Sequence, residues 1–471
     1  MQVGAVGSSY QQRSLPWDAQ RSVNLFPISD PQGKTPSALY GTPGLQLLGT
    51  AGSGPGRGAF AAAAGRSFIV SGSFLYEVFG DGSSISRGSL DGSMGSVTMD
   101  ENGVQLAICD GASLYIFTYA TNTFVKVVSA NLPSASTVTF IDGYFVVNRV
   151  NSGIFQISKL YDGTVWAALD FATAESSPDN LLRVLNVGGQ LWLFGVKTTE
   201  IWYNSGAVAF PFARVNSAAK LDTGIGAPYS AVAALDNSVT WVGRDNNGFG
   251  IVYRAEGFTP QRLSTEPIEL RIQSAPSPET LRAYSYQEEG HTFYVLTGGG
   301  METTLVFDLA TQQWHERAFL NDAGNYELHL GAMSIYAFNK QLVIDRRNGN
   351  IYTQSLNVYS DNGEEIARDR IFTHMFDENQ RFIVNDLTIG FETGVGLQTG
   401  LGQTPRATLY TSRDGGKTYS GGRTKSLGRV GNYIRRVCWH RLGQARQMTF
   451  KIRVTDPVKV VITGGWINTN G

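Results

Sequence analysis

The chain has 471 residues with 38 Lys or Arg against 39 Asp or Glu, a net charge of −1, and charged residues are only 16% of it, which is low for helical proteins with charged outer faces. Counts of 55 Gly, 20 Tyr, 25 Phe and 8 Trp suit many short strands joined by tight turns, so an all-β fold is expected, and the length calls for two domains or one large closed architecture. No apolar run approaches the roughly 20 residues that cross a bilayer, which excludes membrane insertion by a helix.

Residues 1–10 carry neither a basic start nor an apolar stretch of signal-peptide type, and the two cysteines, Cys109 and Cys438, are read as free thiols in a reducing compartment. Residues 1–59 read as an extended N-terminal arm, broken by Pro16, Pro27, Pro31, Pro36 and Pro43. Its apolar side chains come at intervals, in Asn24-Leu25-Phe26-Pro27 and Thr42-Pro43-Gly44-Leu45, as in a segment pinned onto a surface of its own domain or of a neighbour.

Residues 60–365 repeat one unit, an alternating strand, a Gly, Asp or Asn turn and a second strand. Seven such hairpins follow one another, at 66–79, 104–118, 144–157, 190–203, 239–254, 291–308 and 341–354. Markers Phe68, Leu106, Tyr144, Trp192, Thr240, Phe293 and Leu342 are separated by 38, 38, 48, 48, 53 and 49 residues. That is the blade period of a β-propeller, here of six or seven blades. Phe124, Trp166 and Trp314 each follow a polar turn and are expected to cap one blade against the next. Residues 179–185 are at most one or two turns of helix. Longer strands after about 372 indicate a C-terminal β-sandwich, residues 366–471, with the boundary in the charged stretch 364–370.

Few residues suggest chemistry. Ser412-Arg413-Asp414-Gly415-Gly416-Lys417-Thr418-Tyr419 is similar to the Asp-box of sialidases, in which Asp414 accepts backbone N–H groups, Gly416 takes a positive φ and Tyr419 packs beneath the hairpin. Such a box shapes a turn, with Ser412 and Thr418 in supporting places, and does not catalyse. A glycan-binding or sialidase-like propeller is the alternative reading, but no facing carboxylate pair or nucleophile–base pair can be assembled. Glu288-Glu289-Gly290-His291 suits a hairpin turn better than a metal site. In Trp314-His315-Glu316-Arg317 a packed Trp should alternate with Glu or Arg at an exposed blade edge. No catalytic residue, cofactor or metal is expected.

Charge is distributed unevenly. Residues 406–471 hold thirteen Lys or Arg against Asp414 and Asp456, about +11, leaving about −12 for the preceding 405 residues. Within this segment Arg435, Arg436, Arg441, Arg446, Lys451 and Arg453 are expected to present a basic surface. Contact with an acidic subunit, proximity to DNA and a solvated face are the three readings, the first being favoured.

Asn24-Leu-Phe-Pro27, Thr42-Pro-Gly-Leu45, Thr199-Glu-Ile-Trp-Tyr-Asn-Ser-Gly206, Gln261-Arg-Leu-Ser-Thr265, Gly290-His-Thr-Phe-Tyr-Val-Leu296, Trp314-His-Glu-Arg317 and Arg441-Leu-Gly-Gln-Ala-Arg446 resemble, in this order, segments of the packaged-DNA stabilisation proteins of short-tailed phages, also called tail nozzle or tail accessory proteins. The resemblance implies a non-enzymatic virion tail protein assembled in the host cytoplasm. It implies a hexameric ring beneath the portal and its adaptor ring that closes the channel on packaged DNA and carries the tail needle or plug and the tailspikes or fibres.

Overall fold

The computed structural model describes residues 2–11, 19–29, 37–174, 179–215, 220–234, 236–246, 248–377 and 380–470; Pro16, Pro31 and Pro36 of the expected arm lie outside them. Each of the seven hairpins read from the sequence forms the middle two strands of one antiparallel blade. The first is complete with Gly56–Ala61, Ser67–Ser71, Phe74–Val78 and Ser84–Ser89. Its strand Ser67–Ser71 is buried at every position, because a blade is covered by neighbours on both faces. Tight turns carry the backbone where glycine or a short polar side chain tolerates it: Asp142 and Gly143, at φ 48° and 89°, join two strands of the third blade.

The innermost strands stand side by side around a ring, and Gly331–Ala337 of the seventh blade returns to Gly56–Ala61 of the first. The seventh blade is completed from the other end of the chain. Gly44–Thr50 pairs with Asn350–Ser355, from Thr50 opposite Asn350 to Gly44 opposite Ser355. Ring closure therefore rests on backbone hydrogen bonds between segments some 300 residues apart in sequence, and the outer edge of this blade is covered.

Apolar clusters lie between successive blades, such as Phe68, Val70 and Leu75 against Leu106, Ile108 and Phe117. Phe124 stacks on Tyr115 at 5.4 Å and lies so close to Gly88 of the preceding blade that a Cβ there would come within 2.2 Å of its ring. Trp314 donates its indole N–H to the Leu263 carbonyl at 3.2 Å, at the exit of the fifth blade.

The C-terminal domain is a sandwich built with strands from both ends of the chain. One sheet runs Leu25–Ser29, Ser37–Gly41, Val461–Asn470, Phe382–Phe391 and Val437–Ala445, with Gln2–Val3 beside Val461–Asn470. The other contains Arg368–Ile371, Gln447–Val454, Arg406–Ser412 and Arg423–Ser426. Leu387, Ile389 and Trp439 face Leu409, Phe450 and Ile452 across the core, where Leu25 and Leu39 are also buried.

The two domains share one continuous sheet. Ala19–Val23 lies between the outer strand of the sixth blade, Gln313–Leu320, and the sandwich strand Arg368–Ile371. The described strands of residues 1–59 thus do not extend away as an arm; they open the first blade, complete the seventh, and supply part of a sandwich sheet and the bridge between the domains.

Two local expectations change. Residues 179–185 are not helical, for Leu181–Val187 is a strand covered on both faces: Leu181 and Val184 pack into one apolar cluster and Val187 into another, so buried residues recur at a spacing that imitates a helix face. The one α-helix among the described residues is Glu266–Gln273, entered through Pro267 and anchored by Glu269, which receives Arg262 and Ser264 at 2.7 Å.

Candidate interaction surface

The six basic residues singled out in the sequence occupy different places. Arg435 and Arg436 are exposed in the loop before Val437–Ala445 and meet neutral atoms, the Ser426 carbonyl at 3.4 Å and the Thr388 hydroxyl at 3.3 Å. Arg441 and Arg446 are also exposed, Arg441 at a bulge with φ 55° and Arg446 at the turn into the next strand. Among the described residues none of these four forms an ion pair with a carboxylate.

Arg435 and Arg436 sit on an apolar tip. Ile434 is 98% exposed, Leu401 75% and Tyr433 72%, and Val430 is exposed beside them. The loops 393–404 and 427–436 are tied together there by Thr393 donating to the Tyr433 carbonyl at 2.9 Å and Gly431 N–H to that of Gly394 at 3.2 Å. Position 394 must be glycine, since its φ is 81° and a Cβ would approach the Tyr433 ring to 2.5 Å. Apolar side chains held out beside unpaired guanidiniums have the composition of a protein contact, with Arg and Tyr as anchors.

Lys451 and Arg453 lie instead in the joint between sandwich and propeller. They alternate along Gln447–Val454 with Phe450 and Ile452, which face the core, so they point the other way. Arg453 grips Asp369 through two hydrogen bonds of 2.7 Å and also reaches the Tyr326 hydroxyl at 3.0 Å. Lys451 stands between the rings of Tyr410 and Tyr419, its ammonium 4.8 and 4.6 Å from their centroids.

Tyr419 comes from the Asp-box turn. Asp414 accepts from Lys417 N–H and Thr418 N–H at 3.0 Å and from the Ser412 and Thr418 hydroxyls at 2.6 Å, while Gly416, at φ 91°, donates to Ser412 Oγ at 2.8 Å. Those hydrogen bonds, led by the Ser412 and Thr418 hydroxyls, hold the Asp414 carboxyl well below the usual carboxylate range. Its oxygens are occupied in shaping the turn, which leaves the sialidase-like reading without a free acid at this motif.

The joint's centre is Glu316, and here the expectation of an exposed edge fails. Trp314, His315, Glu316 and Arg317 are all buried, because the strand Ala19–Val23 covers what would be a free blade edge. Glu316 binds Arg21 and Arg271 at 2.7 and 3.0 Å and accepts from the Ser9 and Thr303 hydroxyls at 2.5 and 2.7 Å. Arg317 reaches Gln354 and the Pro43 carbonyl, both at 2.8 Å. Asn24, at φ 54°, receives Ala318 N–H and donates to the carbonyls of Ala318 and Ala367, each at 2.9 Å. Three segments recognised separately in the sequence, around Asn24, Pro43 and Glu316, therefore meet one another.

Sequence reasoning missed the arginines of the propeller's inner strands. Arg57 donates to the carbonyls of Gly72, Gly92, Met94 and Gly95, while Nε and Nη1 of Arg183 find no acceptor among the described residues. Glu288 accepts Leu356 N–H at 3.1 Å and His291 pairs with Asp308 at 2.7 Å, so that hairpin is committed to local contacts. Both cysteines are free and buried. Among the described residues no group of three or more His, Cys, Asp or Glu is placed to hold a metal, and no helix is long and apolar enough to cross a membrane.

Residues 1–358 match a protein-family model described as bacteriophage P22 Gp10, beta-propeller, and residues 367–470 match one described as bacteriophage P22 Gp10, beta-sandwich. No curated protein matches the sequence. Among solved structures, the β-propeller domain of Cps50 (Swd1) from Myceliophteria thermophila is similar over 66% of this chain and 99% of its own, with 8% identity and a TM-score of 0.43. The extracellular domain of the one-component system BT4673 from B. thetaiotaomicron is similar over 88% of this chain and 58% of its own, with 11% identity and a TM-score of 0.44.

Proposed function

Because this chain belongs to the family of bacteriophage P22 Gp10, structural proteins of the phage virion that stabilise packaged DNA, we propose that it forms the nozzle of a short tail. In this reading six copies make a ring below the portal and its adaptor. The ring closes the channel on the packaged DNA, gives the needle and tailspikes a place to dock, and takes part in genome ejection.

The observation that carries this is the unneutralised apolar and basic tip at Tyr433–Arg436 on a chain whose residues 1–405 are net acidic. Opposite-sign faces on identical or neighbouring subunits orient assembly. A structural role is supported by two buried carboxylates, Glu316 and Asp369, whose ion pairs hold the two domains together.

The test is incorporation of Arg435→Glu/Arg436→Glu into tails. At physiological salt only charges within about 8 Å of a partner feel the reversal strongly. Both side chains are exposed, so the melting temperature should stay at the wild-type value while incorporation falls. Normal incorporation with unchanged salt sensitivity would refute contact through this tip.

A further inference from the structure

One cation of the joint has no carboxylate partner among the described residues. Arg21 is paired with Glu316 and Arg453 with Asp369, in both cases at 2.7 Å. Lys451 is the third cation on this face and, among the described residues, has no carboxylate; its neighbours are the π-faces of Tyr410 and Tyr419. Ring faces stabilise an ammonium but accept none of its three N–H groups in the way a carboxylate does.

Beside Lys451 is a pocket of about 200 Å³, lined among others by Arg21, Thr449, Tyr419, His374 and the backbone of Gly416. Thr449 is 3% exposed, yet among the described residues its hydroxyl has no hydrogen-bond partner. Thr449 and Lys451 are two positions apart on Gln447–Val454, so both project to the same face of the sheet. Asp369 also lines the pocket, but both of its oxygens are already engaged, by Arg453 and by the Tyr326 hydroxyl. His374, Gly416 and Tyr419 are partly exposed, so the pocket reaches solvent.

We infer that this pocket is a binding site for a small oxyanion, a phosphate or carboxylate group seated on the Lys451 ammonium and the Thr449 hydroxyl. The volume of about 200 Å³ suits a small group, being below the roughly 300–1,000 Å³ of sites for drug-sized ligands. The Lys451 ammonium beside the pocket disfavours a cation. An occupant would also satisfy the Thr449 hydroxyl, which has no partner among the described residues, and a buried donor left in that state is costly. The site joins strands of the sandwich to the Ala19–Val23 bridge and to the Asp-box turn, so its occupancy would stabilise the joint.

Two sources share this chemistry, a free phosphoryl group and a carboxylate presented by another chain. The experiment is a titration of the full-length protein with inorganic phosphate and with acetate at constant ionic strength, following the melting temperature and tyrosine fluorescence. Wild type should respond saturably to at least one of them, and Lys451→Met, which keeps the packing between the two rings, should bind about tenfold more weakly or worse. Thr449→Val, nearly the same shape without the hydroxyl, should weaken binding without lowering the ligand-free melting temperature. A preference for phosphate assigns the free ion, and a preference for acetate assigns a carboxylate. Absence of a saturable response in wild type, or equal responses in wild type and Lys451→Met, would overturn the site.

Discussion

Glu316 receives Arg21 through two hydrogen bonds, from Nε at 3.0 Å and from Nη2 at 2.7 Å, at the point where the sheet passes from propeller to sandwich. Arg21 lies on the bridging strand and Glu316 on the outer strand of the sixth blade, with Val23 opposite Glu316 in parallel register. A second guanidinium, Arg271, arrives from the α-helix Glu266–Gln273. One fully buried carboxylate thus connects three parts of the chain.

Replacing Glu316 by Gln removes the counter-charge of two largely buried guanidiniums. Breaking a buried pair from one side costs about 3–5 kcal/mol, so the urea midpoint of the transition that separates propeller from sandwich should fall sharply. A double variant, Glu316→Gln with Arg21→Met, should lose less than the two single losses added together. The same pair sets an acid limit. Burial alone would raise the Glu316 pKa, but Arg21 and Arg271 more than reverse this and hold it well below the usual carboxylate range. Its contribution is therefore complete above the unfolded value, about 4.3, and is lost as pH falls toward the depressed folded value.

His315 should make the protein acid-sensitive in a higher window. Its ring is buried against Phe26 and Phe293, neither ring nitrogen has a hydrogen-bond partner among the described residues, and burial pushes its pKa down to about 3. The unfolded chain takes up this proton below about 6.5 while the folded chain does not, so stability falls as pH drops from about 6.5 to 3. His315→Phe keeps a ring in the same site and abolishes the titration. Between pH 7 and 5 the variant should be spared about 2 kcal/mol of the wild-type loss, measured as the difference between the two denaturation profiles. Parallel profiles would contradict the assignment.

Gly49 should be intolerant of any side chain. It lies on the strand that completes the seventh blade, and a Cβ there would stand 1.9 Å from the Gly82 carbonyl oxygen in the first blade. Neither backbone can yield without separating the two blades at the seam of the ring. Gly49→Val should cost at least the 1–3 kcal/mol or so typical of overpacking, and limited proteolysis should cut first near residues 44–50. Gly65→Ala is the control, since it lies in an open turn with nothing within 4 Å of a Cβ, although its φ of 80° still adds strain.

The repeat of hairpins and the clustering of positive charge were legible in the chain itself. Alternation, turn chemistry and net charge are local properties, and the markers from Phe68 to Leu342 each fall on a central strand of one of seven blades. Arg435 and Arg436 are exposed, so their charge could be read without knowing the fold. What local pattern could not convey was partnership at long range. Whether six or seven blades closed depended on Gly44–Thr50 pairing with Asn350–Ser355. The exposed edge expected at Glu316 and Arg317 became an interior only because Ala19–Val23 lies along it. Lys451 and Arg453 read as surface cations because strand alternation states that they avoid the sandwich core, without stating what lies on the other side. There the tertiary structure places Tyr419, Asp369 and the bridging strand. Such contacts are set by which buried edges and charges find partners across the fold, and their energy depends on burial that no window of sequence contains.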